Sequence, residues 1–158
     1  EKLEPYAAAG ADMLTVHLEA CRHPHRVLQV IKQLPNANEK GRDILAGIAI
    51  NPGTPVEAVQ PLLAEADMVT ILAVNPGWGG QKFIGTTRAR LATLVNLIKA
   101  SGRNILVGLD GGVTRDNIDD VARMGADIIV AGSAVFDGKD AAGNARVLLT
   151  AVAVARKS

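Results

Sequence analysis

A carboxylate ends an apolar stretch of this sequence and is the side chain best placed to do chemistry. Residues 105–109 are apolar apart from one glycine, and the run stops at Asp110, which Gly111 and Gly112 follow. Such a run predicts a strand buried on both faces, as in a parallel sheet flanked by helices. A carboxylate buried there needs a metal ion, a cation or several N–H donors. Asp110 is therefore the first candidate for a functional residue, and the two glycines would let a ligand approach the backbone.

Polar residues also end the other four predicted strands: His17, Asn51, Asn75 and Ser133. The carboxyl ends of parallel strands lie at one edge, where a barrel has its mouth and an open doubly wound sheet has its ligand crevice. Each residue also has a structural explanation. His17 could face a ligand or be held under a loop, each asparagine precedes a proline as in ordinary turns, and Ser133 could cap a helix.

Glycine-bearing loops follow three consecutive predicted strands. They contain Gly77, Trp78, Gly79 and Gly80, then Gly111 and Gly112, then Gly132 and Ser133. Each loop can point bare backbone N–H groups at an anion, and the last resembles a phosphate cradle at a helix N-terminus. Barrel enzymes often bind phosphate with the loops after their last two strands. We therefore predict a phosphorylated small molecule as the ligand, with the only tryptophan, Trp78, at the rim rather than in the core.

Strands and helices alternate five times along the chain, and strand starts recur about every 30 residues, the size of one βαβ step. The hydrophobic pattern predicts strands at 13–17, 44–50, 68–74, 105–109 and 128–131, and helices at 2–9, 24–34, 86–100 and 144–156, with a short one around Ile118. A further helix is expected from Thr54, where TPVE has the form of a capping box with proline at the first helical position.

The same joint recurs before alternate strands of this α/β pattern. An aspartate that follows an alanine directly precedes three predicted strands, at Asp12, Asp67 and Asp127. This repetition indicates one recurring turn between helix and strand.

Composition limits the functional class. The chain has 158 residues, a net charge of +1 and one cysteine, which suits a single domain with a core, in a reducing compartment. No basic block argues for nucleic acid, and no apolar run reaches the roughly 18 residues of a membrane span. The opening residues do not have the pattern of a signal peptide, so we expect a cytoplasmic protein.

Five segments, in this order and spacing, resemble a known family. They are TVHLEA (15–20), NPGT (51–54), NPGWGGQKF (75–83), DGGV (110–113) and AGSAVF (131–136). Together they resemble the later part of the ribulose-phosphate 3-epimerase family, whose fold is a (β/α)8 TIM barrel. The resemblance implies that residues 1–158 form a partial ribulose-phosphate-binding TIM barrel, a single domain that carries the last five strand–helix units and lacks the N-terminal ones.

The resemblance also implies an activity of the pentose phosphate pathway. The family interconverts D-ribulose 5-phosphate and D-xylulose 5-phosphate by inverting carbon 3: one aspartate removes a proton, a cis-enediolate forms, and a second aspartate returns a proton. Asp110 would be the second aspartate and a ligand of one divalent metal ion, Zn²⁺ or alternatively Fe²⁺, Mn²⁺ or Co²⁺. The sugar phosphate would be bound by His17, Gly77, Trp78, Gly79, Gly80, Asp110, Gly111, Gly112, Gly132 and Ser133. A homo-oligomer is expected.

Departures from the family pattern leave alternatives. The strands that carry the other aspartate and a histidine ligand are absent, so we expect the 158 residues to be inactive alone. Trp78 stands where phenylalanine is usual, which keeps open an epimerase for another ketose phosphate such as allulose 6-phosphate. A phosphate-binding barrel isomerase or lyase without a metal, and a non-catalytic phosphate-binding half-barrel that associates through open sheet edges, are the other candidates.

Overall fold

The computed structural model describes residues 2–157, in which five parallel strands form one sheet in the order β1-β2-β3-β4-β5. The strands are β1 (Met13–His17), β2 (Leu45–Ile50), β3 (Met68–Leu72), β4 (Leu106–Asp110) and β5 (Ile128–Val130). The α-helices are α1 (Glu4–Ala8), α2 (Pro24–Gln33), α3 (Thr87–Ser101), α4 (Ile118–Ala122) and α5 (Ala141–Ala155). The predicted alternation of strands and helices is confirmed. No helix in this part of the chain is long and apolar enough to cross a membrane.

The two faces of the sheet carry different residues. Alternate residues of a strand point to opposite faces, and one face presents large aliphatic side chains to the helices, where they are fully buried. Ile48, Ile50, Val69, Ile71 and Leu109 belong to this core cluster together with helix residues. The helices therefore cover one face, and burial of that face supplies the main stabilisation of the fold.

The opposite face carries smaller and polar residues among its aliphatic ones. The parallel register aligns His17, Ala49, Thr70 and Gly108 in one row across four strands, and Asp110 stands two residues further along β4 on the same face. A Cβ on Gly108 would lie 2.5 Å from the Thr70 hydroxyl oxygen, which explains the glycine that interrupts this apolar strand. The register thus puts the predicted histidine and aspartate on a common, helix-free face.

Burial on both faces, as predicted, holds for the middle of the sheet and not for its last strand. Every residue of β3 is buried, whereas in β5 Ile128 and Val130 are 36% and 45% exposed. Both lie on the helix-free face, because they are the register partners of Gly108 and Asp110. An apolar run such as that of β5 does not reveal whether its strand has a neighbour on each side.

The prediction of a capping box at Thr54 was wrong. Residues 56–62 form a 3-10 helix whose N-cap residue, Pro55, makes no side-chain cap, and the Thr54 hydroxyl donates instead to Glu19. Pro61 lies inside this segment and lacks the N–H that a continuing α-helix needs. The apolar side chains of this segment are nevertheless buried: Val56, Val59 and Leu62.

Aspartates join adjacent strands at the amino edge of the sheet. The Asp67 carboxylate accepts the backbone N–H of Ala46 at 2.9 Å, and the Asp127 carboxylate accepts that of Val107 at 2.8 Å. Each therefore extends the hydrogen bonding between its own strand and the preceding one. The recurring joint that the sequence indicates has this physical basis in two of its three copies; Asp12 is bound by a loop instead.

Candidate active site

A cavity of about 420 Å³ lies at the carboxyl edge of the sheet. Its walls come from the ends of β1, β3 and β4 and from the loops that follow β3, β4 and β5. Every predicted ligand-binding residue lines it: His17, Gly77, Trp78, Gly79, Gly80, Asp110, Gly111, Gly112, Gly132 and Ser133. A comparable hollow of about 410 Å³ beside α5 has a mainly aliphatic lining and contains none of them.

Asp110 lies in the cavity without a neutralising partner. Its side chain makes no hydrogen bond or ion pair with any residue in the described part of the chain. Burial raises the pKa of this carboxyl above its ordinary value, and the nearby charge of His17 acts in the opposite direction. A carboxylate whose pKa is raised by burial is suited to proton transfer, because it can both take up and release a proton closer to neutral pH.

His17 ends β1 on the same face and lines the same cavity. Its Nδ1 atom lies 3.5 Å from the Glu19 carboxylate, and its side chain is 38% exposed. His17 is therefore open to the cavity rather than covered by a loop, and its contact with a ligand stays a prediction.

The glycines of the cavity differ in what the fold requires of them. Gly112 has φ +67°, and a Cβ there would lie 2.7 Å from the Phe83 backbone, so the fold itself demands glycine. Gly79 and Gly132 have no positive φ, and a Cβ on either would meet nothing within 4 Å. The fold therefore does not explain the glycines at 79 and 132, whereas a ligand lying against the backbone does.

Gln81 is a residue of this site that sequence reasoning missed. Its side-chain amide donates to the carbonyl oxygens of Asn75 and Trp78, the latter at 3.0 Å, and so ties the Gly77–Gly80 loop together. Trp78 is 70% exposed, as expected for a residue at the rim. A glutamine directly after a glycine-rich loop was the available signal.

The remaining strand-end residues have mixed outcomes. Asn51 begins a tight turn closed by the Thr54 N–H at 3.1 Å, as its position before proline suggested, and it does not line the cavity. Asn75 precedes a proline too, but it does line the cavity. Ser133 neither caps a helix nor begins one: it lies in a single turn, and α5 starts eight residues later with Asp140 as its cap.

The arrangement combines a half-buried carboxylate, an imidazole and loops of nearly bare backbone in one cavity. Such a cavity can hold a small anionic molecule by the loops while the carboxylate exchanges a proton with it.

Comparison with known proteins gives a consistent family. The model of the Ribulose-phosphate 3 epimerase family matches residues 1–136. The chain is 38% identical to the ribulose-phosphate 3-epimerase of Bacillus subtilis (strain 168), covering 85% of this chain and 59% of that protein. It is 39% identical to the enzyme of the same name from Aquifex aeolicus (strain VF5), covering 94% and 65%. For that of Rhodobacter capsulatus the identity is 43%, covering 86% and 55%. The chain thus spans less than two thirds of the length of these relatives.

A solved structure supports the fold. The 3-hexulose-6-phosphate synthase from Salmonella typhimurium superposes with a TM-score of 0.66, at 21% identity, over 98% of this chain and 70% of that one.

Proposed function

Because this chain belongs to the ribulose-phosphate 3 epimerase family, we propose that it takes part in the inversion of carbon 3 that interconverts D-ribulose 5-phosphate and D-xylulose 5-phosphate. The observation that carries the proposal is the single cavity that contains all ten expected residues around an unpartnered Asp110. Core packing alone does not require three loops and a strand-end histidine to bring these residue types together.

Asp110 is the proton-transferring group in this proposal. Inversion requires that a proton leave one face of carbon 3 and return to the other, so the reaction needs two groups on opposite sides of the substrate. Burial raises the pKa of Asp110, which makes it easier for this carboxylate to take up the proton that it transfers. Its opposite number would be an aspartate outside these 158 residues.

The glycine loops hold the phosphate end of the substrate. Gly79 and Gly132 leave free space where a Cβ would stand, and Gln81 holds the first of these loops in shape. Backbone N–H groups can bind a phosphate oxygen without a side chain between them. His17, on the same face as Asp110, would contact the sugar between the two.

The residues around Asp110 fit a divalent metal ion in part. Its carboxylate has no protein hydrogen bond that would compete with a cation, and carboxylate oxygen is a common ligand. No group of three metal-binding side chains exists within residues 2–157. We therefore assign Asp110 as one ligand, with the others outside this chain; the expected ion is Zn²⁺. When bound, it would supply positive charge that stabilises the developing negative charge on the substrate oxygens.

The sheet is proposed to be the last five units of an eight-stranded barrel. In such a barrel one face of the sheet points inward and is filled by side chains from all strands. Here the helix-free face is that inner face, and the exposure of Ile128 and Val130 on it fits a neighbour that is supplied by further strands. A cytoplasmic location and homo-oligomerisation stay predictions.

The test is a proton-exchange assay in D₂O on the chain with all eight proposed units. Ribulose 5-phosphate should acquire deuterium at carbon 3 and yield xylulose 5-phosphate, and chelation of metal should reduce the rate. Preference for allulose 6-phosphate in the same assay would indicate the alternative substrate. Absence of exchange with any ketose phosphate, despite phosphate binding, would indicate a non-catalytic half-barrel. The 158-residue chain assayed alone should show no turnover, since it holds one of two proton-transfer groups.

A further inference from the structure

A glutamate outside the cavity contacts both the turn after β2 and the cavity histidine. Glu19 lies in the short 3-10 segment Leu18–Ala20 after β1. One oxygen of its carboxylate accepts the backbone N–H of Asn51 at 2.8 Å and the hydroxyl of Thr54, while the other lies 3.5 Å from Nδ1 of His17. One carboxylate oxygen is thus held by two donors, and the other faces the imidazole ring.

These partners keep the Glu19 carboxylate ionised. Burial raises its pKa, but the hydrogen bonds from Thr54, the Asn51 N–H and His17 outweigh burial, so the net shift is downward. The carboxylate therefore remains an acceptor over the range in which enzymes usually work.

The turn that holds Glu19 is itself held from α3. The guanidinium of Arg90 donates to the carbonyl oxygens of Pro52 and, at 2.9 Å, of Asn51. Burial lowers the pKa of Arg90, and the nearby charge of Glu19 opposes that shift. An arginine on the carbonyl side and a glutamate on the N–H side together fix the turn between β2 and the following 3-10 helix.

A consequence follows for the chemistry of His17. A neutral imidazole carries a proton on one nitrogen only, and which nitrogen carries it is set by the hydrogen bond that the other atoms make available. With a carboxylate facing Nδ1, the proton is stabilised on Nδ1, and Nε2 is left as an unprotonated acceptor. Since His17 lines the cavity, Nε2 is the ring nitrogen available to a ligand there.

We propose that Glu19 is a positioning residue, which holds His17 in the Nδ1–H form so that Nε2 accepts a hydrogen bond from a hydroxyl group of the ligand. This role adds a residue to the proposed function. The identification of the ligand as a sugar rests on that proposed function. The hydrogen-bond geometry around Glu19 is independent of it.

The direct test is long-range ¹H–¹⁵N NMR of the histidine rings in the ¹⁵N-labelled chain. It is done at about pH 8.5, some two units above the ordinary histidine pKa of about 6.5, so that the rings are neutral. His17 in the wild-type chain should show a protonated Nδ1 and an unprotonated Nε2. A protonated Nε2 on His17 would overturn the proposal without any variant.

Two variants make the test specific. Glu19→Ala should move His17 toward the Nε2–H form that free histidine favours, so that the shifts of its two nitrogens change places. Glu65→Ala is the matched control: Glu65 lies 3.8 Å from Nε2 of His25, so its removal should leave His17 unchanged. Identical His17 spectra in the wild-type and Glu19→Ala chains would overturn the proposal.

A kinetic cycle tests the consequence for catalysis in the eight-unit enzyme. Glu19→Ala should lower kcat/KM about 10-fold, and it should add little to the loss caused by His17→Ala, because residues that act through one another are not additive. Fully additive losses would overturn the positioning role. If the wild-type enzyme has no epimerase activity, the proposed function fails while the NMR result still decides the state of His17.

Discussion

Carboxylates at the two edges of the sheet differ in whether they have hydrogen-bond partners. At the amino edge, Asp67 and Asp127 each accept a backbone N–H from the neighbouring strand, and Asp12 accepts the side-chain amides of Asn36 and Asn38. At the carboxyl edge, Asp110 has no such partner within residues 2–157. The same residue type therefore stabilises the fold at one edge and is left available at the other.

This difference separates structural from functional carboxylates. A carboxylate that accepts several N–H hydrogen bonds is stabilised in its charged form, and this increases the free energy of unfolding. An unpartnered one costs free energy, which a fold tolerates where a ligand or substrate supplies the missing interaction. Glu19 lies between these cases: it is at the carboxyl edge, but it is fully partnered and acts on a neighbour.

The largest expected effect is on catalysis by Asp110. Replacing it by asparagine in the eight-unit enzyme removes the proton-transferring group, so kcat/KM for ribulose 5-phosphate should fall about 10²- to 10⁴-fold. Retention of metal, measured by elemental analysis, should also fall. Asp116→Asn is the control, since it removes an exposed carboxylate from the same loop and should leave turnover unchanged. Near-normal turnover of the Asp110 variant would show that the unpartnered carboxylate at the carboxyl edge is not the functional one.

A smaller effect separates two glycines of the cavity. Gly112→Ala puts a Cβ 2.7 Å from the Phe83 backbone at a φ of +67°, and should cost about 2–4 kcal/mol of unfolding free energy through strain and overpacking. Gly132→Ala meets nothing within 4 Å and should change stability by less than about 0.5 kcal/mol, measured by urea denaturation.

The same Gly132 variant should nevertheless raise KM for the sugar phosphate, because the added methyl group enters the space assigned to the phosphate. An unchanged KM would show that this loop does not contact the ligand.

At the amino edge, Asp127→Ala should destabilise the chain by about 1–3 kcal/mol, because it leaves the N–H of the buried Val107 without its acceptor. Asp127→Asn should restore most of the loss, since its amide oxygen can accept the same hydrogen bond. Urea denaturation of both variants measures the effect. Equal loss in both would mean that the charge, rather than the hydrogen bond, is what matters.

The smallest expected effects are on how stability depends on pH, and they have opposite signs for Asp12 and Asp110. Hydrogen bonds from Asn36 and Asn38 lower the pKa of Asp12, so it stabilises the folded state above the ordinary aspartate pKa, and this contribution is lost as the pH falls. Burial raises the pKa of Asp110, so it has no effect on stability at low pH, where it is protonated in both states. It becomes destabilising as the pH rises from the ordinary aspartate pKa toward its higher folded value.

Two variants of the 158-residue chain follow these signs. At pH 7, Asp12→Asn should lower the unfolding free energy, while Asp110→Asn should raise it. Both differences from the wild-type chain should shrink on acidification to about pH 3, below the ordinary aspartate pKa of about 3.9. Urea denaturation at the two pH values measures them. Changes of the same sign at pH 7 would contradict the comparison between the two edges.

Local sequence patterns determined the alternation of elements, the strand ends and the glycine loops. Apolar runs and turn residues act over a few neighbours, so Met13–His17 and Leu106–Asp110 were predicted to within one residue. The motif resemblance added the roles expected of Asp110 and of the phosphate loops. The strand after Asp127 was likewise found within one residue of its predicted bounds. The capping box at Thr54 was wrong, because the partner of its hydroxyl is distant in sequence.

Only the tertiary structure decided which polar residues share a face and which are satisfied. The parallel register aligns His17 with Gly108 and brings Asp110 to the same face, and no local pattern specifies register between segments some 90 residues apart. The hydroxyl of Thr54, expected to cap a helix, is donated to Glu19, 35 residues away. Sequence determines what each residue can donate or accept, whereas packing determines which partner is within reach.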